Sequence, residues 1–139
     1  MKRMIKRAVC LILALALSGI PIAFAAVESN AYISSYGAAI TRNGNGSITV
    51  NFNTHGTGSM DSIGATAISI YENGHHKTTF YAANSDYTSL MLGSGYYFYG
   101  GVPYQGVAGR TYKALITHYA EKDGGSGTEN LWTASVVAT

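Results

Sequence analysis

The chain reads as an all-β protein: an antiparallel β-sandwich of seven to eight strands behind an N-terminal export signal. Three observations predict this. Apolar residues recur at every second position in short runs. Turns rich in Gly and Asn punctuate those runs. Past residue 25, Thr, Ser, Tyr, Val, Ile and Gly are plentiful, Leu, Lys, Glu and Gln are scarce, and no window carries helical periodicity.

The first element is the export signal. Lys2, Arg3, Lys6 and Arg7 precede the apolar run Ala8 to Leu17; Ser18, Gly19 and Pro21 follow, and Ala23-Phe24-Ala25 offers the small residues a signal peptidase reads. The apolar run is shorter than the roughly 20 residues a spanning helix needs. An uncleaved anchor is the alternative. Cys10 stands near the start of the apolar run and not after it, which argues against lipidation. The expectation is residues 1–25 as signal peptide, residues 26–139 as a single domain, a secreted, extracellular product and no membrane span after cleavage.

Strands then follow in order. Tyr32 to Thr41 carries Ile33, Tyr36, Ala38 and Ile40; Asn43-Gly44-Asn45-Gly46 turns the chain; Ser47 to Asn53 sends Ile48, Val50 and Phe52 one way and polar partners the other. Ile63 to Tyr71 is a third strand with Ile68 and Ile70 inward. Asn73-Gly74 turns it into Lys77 to Tyr81. Asp86 to Leu92 and Tyr96 to Tyr99 are short candidates around Gly93-Ser94-Gly95. Arg110 to Tyr119 alternates Tyr112, Ala114 and Ile116 against Lys113, Leu115 and Thr117. Asp123 to Gly127 reads as a flexible loop, and Leu131 to Val137 as the last strand. Seven or eight such strands without helices predict a sandwich, with a barrel as runner-up.

Charge and cysteine content exclude several classes. The net charge of +2 is positive only because of the four cations of the leader. Residues 26–139 keep Arg42, Lys77, Arg110, Lys113 and Lys122 against seven acids, so no cationic stripe exists to displace phosphate counterions, and nucleic acid is not a partner. Cys10 is the one cysteine, so the domain has neither disulfide nor thiolate nucleophile. Burial must hold it together, and a chain of this length buries enough for one core.

Two stretches narrow the sandwich. Gly109-Arg110-Thr111-Tyr112 opens a strand and resembles the tyrosine corner of immunoglobulin and fibronectin type III domains, where the phenol bonds back to nearby backbone. Of the Leu-x-Pro-Gly-x-x-Tyr pattern of fibronectin type III domains, Gly109 and Tyr112 fit, while Gly106 and Ala108 stand where Leu and Pro would. Gly64 to Glu72, Tyr104 to Ala114 and Trp132-Thr133-Ala134 resemble a family of small secreted proteins from Gram-positive, often gut-dwelling, bacteria to which no function is assigned. That resemblance covers about a third of the domain. It implies an exported immunoglobulin-like sandwich and nothing about chemistry.

No constellation for catalysis emerges. Glu72 and His75-His76 could ligate a metal from a helix face, but on a strand and turn adjacent histidines diverge, and His118 would join only if the fold brought it near. The Gly-x-Ser-x-Gly elbow is absent, glycosidase-type carboxylates would have to come from dispersed acids, and the Gly tracts lack the following helix of a phosphate cradle. No catalytic residue, metal or cofactor is expected. Asn45-Gly46-Ser47 matches a glycosylation acceptor by coincidence.

The informative feature is Tyr96-Tyr97-Phe98-Tyr99 with Tyr104. On a strand Tyr97 and Tyr99 face opposite to Tyr96 and Phe98, so one pair packs inward and the other meets solvent. Exposed tyrosines give stiff amphipathic contact area suited to sugar rings or protein partners. Tyr97, Tyr99 and Tyr104 are the expected ligand-contact residues of a non-enzymatic module for an extracellular protein or glycan. Structural core filling is the plainer role for the same residues. A secreted hydrolase with an unfamiliar site, and a structural surface or matrix component with an open edge near Leu131 to Val137, are the alternatives.

Overall fold

The structure is a computed structural model in which residues 30–84 and 90–139 are described. The expected signal peptide and the stretch 85–89 lie outside them. The described residues form strands β1 (Ile33–Gly44), β2 (Ser47–Met60), β3 (Ser62–Glu72), β4 (His75–Tyr81), β5 (Met91–Leu92), β6 (Gly95–Gln105), β7 (Thr111–Lys122), β8 (Gly125–Trp132) and β9 (Val136–Val137). Seven are long and two are two-residue pieces. No helix among the described residues is long and apolar enough to cross a membrane.

The strands make two antiparallel sheets, one ordered β1-β2-β6 and the other β4-β3-β7-β8, with β5 added beside β3 and β9 beside β7. Hairpin turns close on Asn-Gly and Asp-Gly pairs, at Asn73-Gly74 as the sequence predicts and also at Asp123-Gly124. Asn73-Gly74 and Asp123-Gly124 both hold positive φ at their two central residues (48° and 83°, 52° and 78°), which matches the twist of the strands they join. The sheets face each other across one core. Ile48, Val50 and Phe52 of β2 and Val102 of β6 pack against Ile68 and Ile70 of β3 and Tyr112, Ala114 and Ile116 of β7. A smaller cluster of Ile33, Met60, Ile63 and Ala120 fills one end.

Three local expectations change. The flexible loop at Asp123 to Gly127 is a two-residue turn followed by the start of β8; Gly125 and Gly127 are there because Tyr32 and Asn30 occupy the space a Cβ would need. The last strand is split. Thr133 takes one turn of the ladder with its side chain, its Oγ1 accepting from Ala114 N at 3.0 Å, and β9 then resumes pairing at Thr111 and Tyr112. The short candidate Tyr96 to Tyr99 is part of β6, which runs on through Gly100, Gly101 and Pro103 to Gln105 because β2 supplies an unbroken partner from Ser47 to His55.

Candidate functional site

The candidate site lies on the outer face of the β1-β2-β6 sheet. Along β2, Ile48, Val50, Phe52 and Thr54 are buried between the sheets, so Ser47, Thr49, Asn51, Asn53 and His55 point away from the core. Register carries that parity to both neighbours. β1 presents Ser35, Gly37, Ala39 and Thr41 opposite them, and β6 presents Tyr97, Tyr99, Gly101, Pro103 and Gln105. None of these residues is Asp, Glu, Lys or Arg.

One end of this face is aromatic. Tyr97 and Tyr99 are 55% and 61% exposed, and their ring centroids lie 5.3 Å apart. His55 stacks on Tyr97 at 5.8 Å and meets Tyr99 edge-on at 5.6 Å, with its Nε2 3.2 Å from the Tyr99 hydroxyl. Three rings from two strands thus hold one another in place while their outer surfaces stay open to solvent.

Beside the rings runs a shallow depression of about 270 Å³ lined by Ala38, Ala39, Asn51, Phe52, Asn53 and Tyr99. Glycine flanks it on both sides of β2: Gly37 sits opposite Asn53, and Gly101 opposite Asn51. The Asn51 amide is anchored, donating to Thr41 Oγ1 at 2.8 Å. The Asn53 carboxamide has no hydrogen-bond partner among the described residues, and so presents a free donor and a free acceptor.

The tyrosines expected at the site therefore separate. Tyr97 and Tyr99 share the outer face. Tyr104 has the opposite parity, lies half-buried against the main core and meets the buried Tyr112 ring edge-on at 6.1 Å. Phe98 packs inward, but Tyr96 does not accompany it: it is 66% exposed, where the β2–β6 register breaks between His55 and Met60. His55, Asn51, Asn53 and the two glycines were not singled out from the sequence. The available signal was the polar side of the Ser47 to Asn53 alternation.

The remaining titratable residues are used elsewhere. Glu72 turns inward and accepts from the Tyr112 hydroxyl at 2.5 Å, with Lys77 and Arg110 at 3.2 and 3.1 Å; Tyr112, helped by these cations, holds its carboxyl down to about 2. Burial, reinforced by the bond to Glu72, pushes the Tyr112 phenol up. The same hydroxyl accepts from Val107 N at 2.7 Å, five residues upstream. His75 and His76 are exposed, and the His76 ring leans on Tyr71. His118 is fully buried, its Nδ1 2.9 Å from Thr54 Oγ1, and burial lowers its pKa to about 4. Among the described residues no group of three or more His, Cys, Asp or Glu is placed to hold a metal ion.

The other outer face also carries aromatics, arranged differently. Tyr71 meets His76 at 5.3 Å and Trp132 at 4.9 Å, and the Lys113 ammonium caps the Trp132 ring at 4.5 Å. Those rings spend their faces on each other and on a cation. The Tyr97–Tyr99–His55 group has no such cover. No family model, curated protein or solved structure matches the chain.

Proposed function

We propose that the chain is an exported, non-enzymatic interaction module that binds an extracellular protein or glycan through the outer face of its β1-β2-β6 sheet. The observation that carries this reading is the contiguous, solvent-open Tyr97–Tyr99–His55 group on a face without a charged side chain. Contact area of this kind is stiff, part apolar and hydroxyl-tipped, so it adheres at low entropic cost. The absence of carboxyl groups from this face argues against hydrolysis of what it holds, because glycoside cleavage needs two of them flanking the bond. Export rests on the three-part leader of residues 1–25.

The sandwich is of the immunoglobulin or fibronectin type III kind. Two observations support that. β3, β7 and β8 lie side by side as strands C, F and G do, while β1, β2 and β6 pair as A, B and E do. Tyr112, at the start of the penultimate long strand, bonds back to Val107 as in a tyrosine corner.

The test is retention of the processed protein, residues 26–139, on cell-envelope material. Wild type is expected to sediment with it, and a Tyr97→Ala/Tyr99→Ala double variant with an unchanged melting curve is expected to stay in solution. Equal behaviour of the two proteins would remove the reading.

A further inference from the structure

We infer that the occupant of this face is a neutral glycan, seated across the Gly37–Gly101 depression with a sugar ring against Tyr99; this rests on the proposed binding role of the face. The glycines point to it first. Gly in a strand interior weakens the strand and usually marks a bulge or a close approach. Inside this fold Gly100 has such a reason, since a Cβ there would strike Phe52 and Phe98. Gly37 and Gly101 face outward. The atoms nearest a Cβ on Gly37 all belong to the Asn53 side chain, the first at 3.0 Å, so core packing does not require glycine there; a Cβ on Gly101 would crowd Asn51 Oδ1 at 3.0 Å and the Val50 carbonyl oxygen at 3.2 Å. What the bare backbone provides is a floor on which a flat ligand can lie beside the Asn51 and Asn53 amides.

The chemistry of the walls selects the ligand class. The face of a tyrosine ring is the negative side of its quadrupole and attracts the polarised C–H bonds of a sugar ring. A sugar hydroxyl is donor and acceptor at once, and the free Asn53 carboxamide offers both partners. An anionic polymer would need Lys or Arg for its charge, and a cationic one would need carboxylates. The face holds neither. The depression, at about 270 Å³, is open and shallow, smaller than the pockets that enclose drug-sized ligands. It suits a segment of chain lying on the surface better than an engulfed small molecule.

The experiment measures binding of the domain to soluble neutral polysaccharides (β-glucan, xylan, mannan) and to anionic ones (polygalacturonate, heparin) by affinity electrophoresis and calorimetry at low and high salt. At least one neutral polymer is expected to bind, insensitive to salt, and to weaken about tenfold or more in Tyr99→Ala. Gly37→Val, which sets a strand-favouring side chain against Asn53 on the flank of the depression, is expected to weaken it similarly. Should Gly37→Val fail to melt cooperatively, Asn53→Ala takes its place, since its amide supports nothing inside the fold. Tyrosine-dependent binding to an anionic polymer or to a protein alone would overturn the glycan assignment and leave the binding face standing. No binding to any polymer, or neutral-glycan binding that ignores all three substitutions, would overturn the inference; retention on envelope material that Tyr97 and Tyr99 do not affect would remove the face itself.

Discussion

A carboxylate and an imidazole are buried between the same two sheets, and they are accommodated in opposite ways. At one end Glu72 is ionised, and its oxygens are engaged by the Tyr112 hydroxyl, Lys77 and Arg110. Further along β7, between the larger and smaller apolar clusters, His118 has one hydrogen-bond partner among the described residues, Thr54. Thr54 has a single hydroxyl proton and donates it to Gly64 O at 2.9 Å, so Nδ1 of His118 must carry the hydrogen and donate to Thr54. Its Nε2 is then a bare lone pair without a partner among the described residues. A buried charge survives only when its bonds are made for it, whereas a buried neutral ring tolerates one missing acceptor contact. The cost appears when His118 is asked to take a proton, because the new N–H⁺ would point into apolar surroundings near Tyr36 and Phe52.

That difference can be broken or sharpened by experiment. The largest effect is expected from Glu72→Ala, which strands the Tyr112 hydroxyl in the core and removes the partner of two cations. Its urea midpoint should fall furthest of any substitution named here, and a fall no greater than that of Tyr112→Phe would end the contrast. Next comes acid. The folded pKa of His118, about 4, lies below its ordinary 6.5, so the unfolded chain takes up the proton first. Stability is therefore complete above 6.5 and declines as pH falls towards 4, by about 3 kcal/mol. His118→Leu should abolish that window while Thr54 keeps its bond to Gly64 O. A wild-type slope in the variant would assign the window to another group. Glu72 acts lower: depressed from 4.5 to about 2, it contributes stability that is present above 4.5 and lost as pH falls through 2. The smallest effect is expected from Tyr112→Phe. It keeps the ring against Tyr104 but deletes one donor to Glu72 and one acceptor for Val107 N, a loss of about 2 kcal/mol in denaturant unfolding. Because Tyr112 is the strongest hold on that carboxyl, the variant should also narrow the lower acid window.

The interior was legible in part. Tyr112, Ala114, Ile116 and His118 share a parity on β7, so the burial of His118 follows from the same alternation that places the other three. Its partner did not follow, because Thr54 belongs to the opposite sheet and the contact depends on how the sheets are stacked. Glu72 ends a strand beside a turn, a position that ordinarily meets solvent; only the arrival of Tyr112 from β7, 40 residues on, turns its carboxylate inward.

The outer face shows the same division. Period-2 patterning and turn residues determined by themselves that the chain folds as stacked antiparallel sheets, that the hairpins close at Asn73-Gly74 and near Asn45-Gly46, and that Tyr97 and Tyr99 point together. Those are properties of the backbone within a few residues, where side-chain parity and the steric freedom of Gly and Asn decide. Tertiary structure decided that their side is the open one, that His55 joins them, that Tyr104 faces the core, and that Gly37 and Gly101 flank the same two asparagines. Each depends on the register between β2 and its neighbours, where paired residues such as Ile48 and Tyr104 are 56 positions apart. Register is chosen by how well whole strands bury their apolar faces, a cooperative quantity that no short window contains.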